Sequence, residues 1–196
     1  MRPKQTPSQT VGPFFAYGLT PEQYGYPFGS LAGASLVDDD TPGERIRITG
    51  RVLDGEGKPI PDAMIEIWQA DGEGRYAHPA DPRGSNVRFI GFGRCGTGTD
   101  PESRFVFDTI KPGSVGDGQA PHVNMIVFMR GMLSHVFTRI YFADEAAANA
   151  RDPVLVSVDE ARRDTLIAAR ATTPAGTVYR LDLRMQGPDE TVFFDV

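Results

Sequence analysis

The sequence is short of the residues that usually announce a chemistry. Its 196 residues include one cysteine, Cys95, and three histidines, His78, His122 and His135. A lone cysteine excludes an internal disulfide framework and a thiolate zinc site, and reads as a small buried residue. Positive charge is also in deficit. The 20 Lys and Arg against 26 Asp and Glu leave a formal charge of −6, so no basic field is available to hold a phosphate backbone. There is no G-x-S-x-G, and the glycines of GFGRCGTG have neither the spacing of a nucleotide fingerprint nor a following helix. No run approaches the roughly 20 apolar residues that a helical membrane span requires. The opening MRPKQTPSQTVGPFF lacks an uninterrupted apolar core of signal-peptide length. These absences predict a cytoplasmic protein that binds neither nucleic acid nor membrane.

What is present is turn chemistry and alternation. The 22 glycines and 16 prolines favour a turn-rich β architecture over a helical bundle. Apolar and polar residues alternate over 45–54, 64–70, 103–110 and 177–185, and further strands are expected over 89–94, 122–129, 135–142 and 190–196. The expected fold is all-β, an antiparallel β-sandwich of about eight strands. One peripheral helix is predicted over 161–170, with Ser157 as its cap and Glu160 completing a capping box. Residues 45–196 form the sandwich, in a single domain overall. Residues 1–44 form a long N-terminal arm whose Phe14, Phe15, Tyr17, Tyr24, Tyr26 and Phe28 must pack at home or on another chain. We expect part of it to be an interface segment.

The chemical question centres on APHVNMIVFMRG, residues 120–131. Residues i and i+2 of a strand face the same side, so His122 and residue 124 project together. Two histidines there would clamp a metal, but the second position is Asn124, and an amide oxygen is a poor partner for a tightly held transition metal. Read alone, His122 is a hydrogen-bonded structural residue. His78 lies in a polar turn, His135 opens a strand, and Trp68 within IEIWQA is expected in the core. The acids are scattered over turns, and no paired carboxylates can be assigned.

Taken together, several stretches resemble the intradiol ring-cleaving dioxygenases. They are TPSQTVGPFF, RVLDGEGKPIPDAMIEIWQADGEGRYAHP, RFVFDTIKPG followed by APHVNM, and the closing YRLDLRMQGPDETVFFDV. In order they cover nearly the whole chain, and the resemblance implies a β-sandwich. In catalytic members two tyrosines and two histidines hold a non-haem ferric ion. The first tyrosine of that pattern is Tyr76, in Gly74-Arg75-Tyr76. The second belongs just after Lys111-Pro112-Gly113, where this chain reads SVGDGQ; the histidine pair reads Pro121-His122-Val123-Asn124. Two of four ligands match. Loss of an anionic phenolate and an imidazole should weaken the site by many orders of magnitude.

The closing stretch is most similar to the protocatechuate-cleaving group of that family. The resemblance implies an iron-free alpha-type subunit with Fe(3+) in a beta-type partner. The assembly would cleave 3,4-dihydroxybenzoate with O2 to 3-carboxy-cis,cis-muconate. It carries substrate-binding roles onto Thr10, Gly12, Pro13 and Arg130, no catalytic group and no metal, with Tyr76, His122 and Asn124 as degenerate ligand positions. Gly12 allows close backbone approach, Pro13 presents a rigid wall, and Arg130 offers a fork of donors to an anionic ring substituent. Two alternatives stay open: a self-sufficient dioxygenase with substituted ligands, and a non-catalytic β-sandwich binding module.

Overall fold

The computed structural model describes residues 4–83 and 89–195. Its strands form where apolar residues alternate. In β1 (Arg45–Leu53) Ile46 and Ile48 are buried while Arg45 and Arg47 face solvent. β2 (Met64–Gln69), β3 (Phe92–Gly96), β4 (Arg104–Ile110), β5 (His122–Phe128) and β6 (Val136–Phe142) follow. β7 (Ile167–Thr173), β8 (Gly176–Arg180) and β9 (Leu183–Arg184) complete the set.

The strands lie in the order β3-β2-β5-β6-β7-β8-β1-β4, with β9 also beside β1. This sheet curls on itself. Ile65, Ile67 and Met125 from one half meet Ile48, Phe105, Phe107 and Tyr179 from the other in a single core. Curling places the edge strands β3 and β4 near one another, and residues 33–36 of the arm lie between them. The Arg94 amide donates to Gly33, Asp108 donates to Ala34, and Leu36 donates back to Asp108, at 2.9–3.0 Å. A segment bonded to both edges removes the exposed template that edges present.

The all-β expectation holds, with three differences. First, the sheet is mixed. β1 pairs in parallel with β8 and β9, and β6 with β7, while the other pairings are antiparallel. The long crossover after β6 makes this possible, because it lets the chain re-enter in the same direction beside Tyr141 and Phe142, the last residues of β6. Second, the single helix expected over 161–170 does not form. Asp152, not Ser157, starts the helical region: it caps α3 (Pro153–Ser157) by accepting from the Val154 and Leu155 amides, with Pro153 in the first turn. Asp159 then caps a 3₁₀ segment over Glu160–Leu166. Residues 167–173 become β7, because Leu166 and Ala168 are buried two apart and Ile167 and Ala168 pair with Tyr141 and Phe142. With α1 (Phe15–Leu19) and α2 (Ala146–Asn149), the helices are several and short. Third, 190–196 contributes one bridge, Phe194 to Phe137, among its described residues. The run 177–185 divides where the Leu181 carbonyl meets Gly50, so closely that a Cβ on Gly50 would lie 1.8 Å from that oxygen.

Most of the arm's aromatics gather on one another. Tyr17 contacts the rings of Phe14, Tyr24 and Tyr26, and Tyr26 contacts Phe28. Gln23 ties the cluster to β3, donating to the Gly96 carbonyl at 2.6 Å and accepting from its amide at 2.9 Å. Phe14 and Phe28 stay exposed, at 74% and 55%. Among the described residues no helix is long and apolar enough to cross a membrane.

Candidate functional site

Two loops and one strand bring Tyr76, His122 and Asn124 together. The turn before Tyr76 docks on the Lys111-Pro112-Gly113 turn. Gly74 and Gly113 both donate to the Asp71 carbonyl, at 3.0 and 2.9 Å. Gly74 has a positive φ of 75°, and a Cβ there would meet the Ser114 carbonyl oxygen at 1.8 Å, so only glycine fits. Tyr76 is then fixed by its amide donating to Asp81 at 2.9 Å.

His122 opens β5 and is 1% exposed. Its Nδ1 lies 2.8 Å from the Ala120 carbonyl oxygen, which can only accept. Nδ1 therefore carries the proton, and Nε2 faces the Tyr76 hydroxyl at 3.5 Å as an acceptor. Asn124 donates to that hydroxyl at 3.2 Å. As strand geometry requires, His122 and Asn124 share a face, and Tyr76 meets both. Asp152, fully buried, accepts from the Ala120 amide at 2.8 Å and the Tyr141 hydroxyl at 3.0 Å, which anchors the start of the strand.

The electrostatics of this trio are those of neutral groups. Burial, helped by the positive charge of Arg139, pushes His122 down to about 4. Burial raises Tyr76 above its ordinary value, against the lowering effect of its bond from Asn124. One phenol, one imidazole and one amide are a donor set poor in the anionic oxygens that a ferric ion needs. The loop where a second tyrosine belongs reads Ser114 to Gln119 with none. Among the described residues, no three His, Cys, Asp or Glu side chains are grouped to hold a metal either.

A cleft of about 680 Å³ opens beside the trio, lined by Trp68, Tyr76, His78, Arg83, Val115 and Asn124. Trp68 is thus not in the core as expected. Ile65 and Ile67 take the inward positions of β2, which turns Glu66 and Trp68 outward and leaves Trp68 37% exposed on the rim. Its indole lies near the rings of Tyr76, His78 and Phe92. His78 accepts from the Ala80 amide within its turn, and His135 sits between Phe128 and Phe137.

The expected substrate-facing residues lie elsewhere. Arg130 lies in the turn after the far end of β5, and at about 3.3 Å per residue the strand from His122 to Phe128 spans about 20 Å. Thr10 reaches the same turn, its hydroxyl accepting from the Gly131 amide at 2.9 Å. Gly12 and Pro13 follow as exposed residues leading into α1. A Cβ on Gly12 would meet nothing within 4 Å, so this chain's own packing does not require glycine there. Arg130 donates through Nε to Asp62. Asp62 and Asp152 were not legible as site residues, because each acts through a partner far away in sequence.

A curled β-sandwich with one tyrosine, one histidine and an amide at the head of a P-H-x-N strand defines a subunit of the intradiol ring-cleaving dioxygenase class. The family model described as Dioxygenase matches residues 31–187, and the chain belongs to that family. It is similar to the protocatechuate 3,4-dioxygenase alpha chain of Burkholderia cepacia, 55% identical over 194 residues, covering 98% of each chain. The protocatechuate 3,4-dioxygenase beta chain of the same organism is 38% identical over 173 residues, 82% of this chain and 72% of that one. Among solved structures, the dioxygenase domain of a carbohydrate-binding fusion from Streptomyces sp. SirexAA-E superposes with a TM-score of 0.61, covering 85% of this chain and 94% of that one. At 22% identity it supports the fold alone.

Proposed function

We propose that this chain is the iron-free alpha subunit of a cytoplasmic, heteromeric protocatechuate 3,4-dioxygenase. Its beta-type partner holds the ferric iron, which when bound makes the catechol reactive toward O2. The residues of this chain bind and orient. The observation that carries the reading is the separation of two residue sets along β5. The Tyr76–His122–Asn124 trio does not suit iron, while Thr10 and Arg130 belong to the turn beyond the other end of the strand, about 20 Å along it. Arg130 cannot serve a cleft that far along its own strand, so its role lies in a site completed by another chain.

The chemistry of that end suits the role. A guanidinium recognises a carboxylate through paired N–H donors, and protocatechuate carries one carboxylate on its ring. Gly12 and Pro13 form a side-chain-poor wall beside it, and the open space around Gly12 leaves room for a partner's backbone. The exposed Phe14 and Phe28 of the arm serve as interface surface.

Replacing Arg130 by Ala in the assembled alpha–beta enzyme tests the reading. The expected result is a KM for protocatechuate raised about tenfold or more, with kcat changed far less, as for loss of a ground-state charge contact. An unchanged kcat/KM would sink the assignment.

A further inference from the structure

The arginine turn contains an anchor that the proposed function does not use. β2 and β5 are antiparallel, with Met64 opposite Phe128 and Ile65 opposite Val127. Carrying that register two residues further sets Asp62 opposite Arg130, a cross-strand pair just beyond the strand ends. Arg130 Nε donates to Asp62 Oδ2. The side chain of Asp62 is 20% exposed and that of Arg130 55%, so the carboxylate is the sheltered partner and the guanidinium reaches outward.

The form of this pair differs from that of three other Arg–Asp pairs on the surface. Arg47 grips Asp108, Arg51 grips Asp182 and Arg83 grips Asp81 through Nε and Nη2 together. Such side-on pairs engage Nη2 as well as Nε, and so draw on a donor that the end-on Nη1/Nη2 edge also uses. Asp62 takes Nε alone, and among the described residues no acceptor bonds the Nη1 or Nη2 of Arg130. The distal pair of donors therefore stays open at the tip of a side chain whose base is pinned. Thr10 holds the following residue, Gly131, through its hydroxyl, so the turn itself is also tethered.

We infer that Asp62 is a positioning residue for substrate selection. It fixes Arg130 through Nε so that the open Nη1/Nη2 end meets a ring carboxylate, and so favours carboxylate-bearing catechols over neutral ones. This rests on the assignment of Arg130 to a shared active site. An unpinned arginine would still carry charge, but it would lose rotamer freedom on binding that Asp62 has already removed.

The test is steady-state kinetics of the assembled alpha–beta enzyme carrying Asp62→Ala, Asp62→Asn or Arg130→Ala. KM and kcat are measured for protocatechuate, and catechol, which lacks the carboxylate, is measured by its competitive inhibition constant. Asp62→Ala is expected to raise the KM for protocatechuate about fivefold to tenfold, leaving kcat and the catechol constant within about twofold. Asp62→Asn keeps an oxygen that accepts from Nε, and should recover most of the loss. An unchanged or lowered KM in Asp62→Ala overturns the inference, since Asp62 would then merely screen the arginine. Equal weakening of protocatechuate and catechol overturns it too, as a general structural effect. If Arg130→Ala also fails to weaken protocatechuate relative to catechol, both readings fall; if Arg130→Ala does so and Asp62→Ala does not, only the role of Asp62 falls.

Discussion

At the scale of the residue, His122 serves the fold as a buried, hydrogen-bonded ring. The ring is neutral in the folded chain, held down to about 4 by burial and by Arg139. In the unfolded chain the same ring titrates near 6.5. Between those values the unfolded state binds a proton that the folded state does not, so stability falls as pH falls from about 6.5 to about 4. The full shift corresponds to about 3 kcal/mol. Substituting His122 by Gln should flatten the pH dependence across that window, as read by urea unfolding at several pH values. An unaltered slope would show that the imidazole is accessible to protons in the folded chain. The His122–Asn124 part of the site was legible early, because the i, i+2 relation is local. Tyr76 joins from 46 positions away through a loop–loop contact, and only a family resemblance could bring it in.

At the scale of the element, Asp152 joins the helical crossover to the sheet. It accepts from the amides of Ala120, Val154 and Leu155 and from the Tyr141 hydroxyl, entirely out of water. Replacing it by Ala orphans a cap, a strand-end amide and a buried phenol at once. The expected loss is roughly 3 kcal/mol or more, and Asp152→Asn should lose less, both read by chemical denaturation. The same element shows where sequence reading fails. Ser157 followed by Glu160 fits a capping box, but Asp152-Pro153 and Asp159 compete for the helix starts and win, because the neighbouring strand β6 offers Ile167 and Ala168 a parallel ladder. Nothing local reveals that ladder. Alternation, by contrast, is local, and it located most strands to within a few residues. Applied to β2, it would also have turned Trp68 outward.

At the scale of the whole molecule, one mixed sheet curls around a core, and the two ends of β5 present different side-chain clusters. One end of β5 carries Tyr76, His122 and Asn124 in contact; beyond the other lie Arg130 paired with Asp62 and Thr10 bonded to Gly131. The curl depends on pairings distant in sequence, so it was not legible beforehand. The arm offers a test at this scale. Phe14→Ser with Phe28→Ser removes exposed aromatic surface, and should leave the unfolding midpoint of the isolated chain nearly unchanged. It should weaken binding to the beta-type chain by about tenfold or more, measured by titration calorimetry. Equal affinity would remove these two rings from the interface.

The central claim, that this chain has given up iron and serves a partner that keeps it, is tested most directly by metal analysis. The chain is purified alone from iron-supplemented cells and compared with the co-expressed alpha–beta pair, by iron content and visible absorption. The account predicts a colourless, iron-free chain, and a coloured pair whose iron is in proportion to the partner. Near-stoichiometric iron with a tyrosinate band in the chain alone would contradict it.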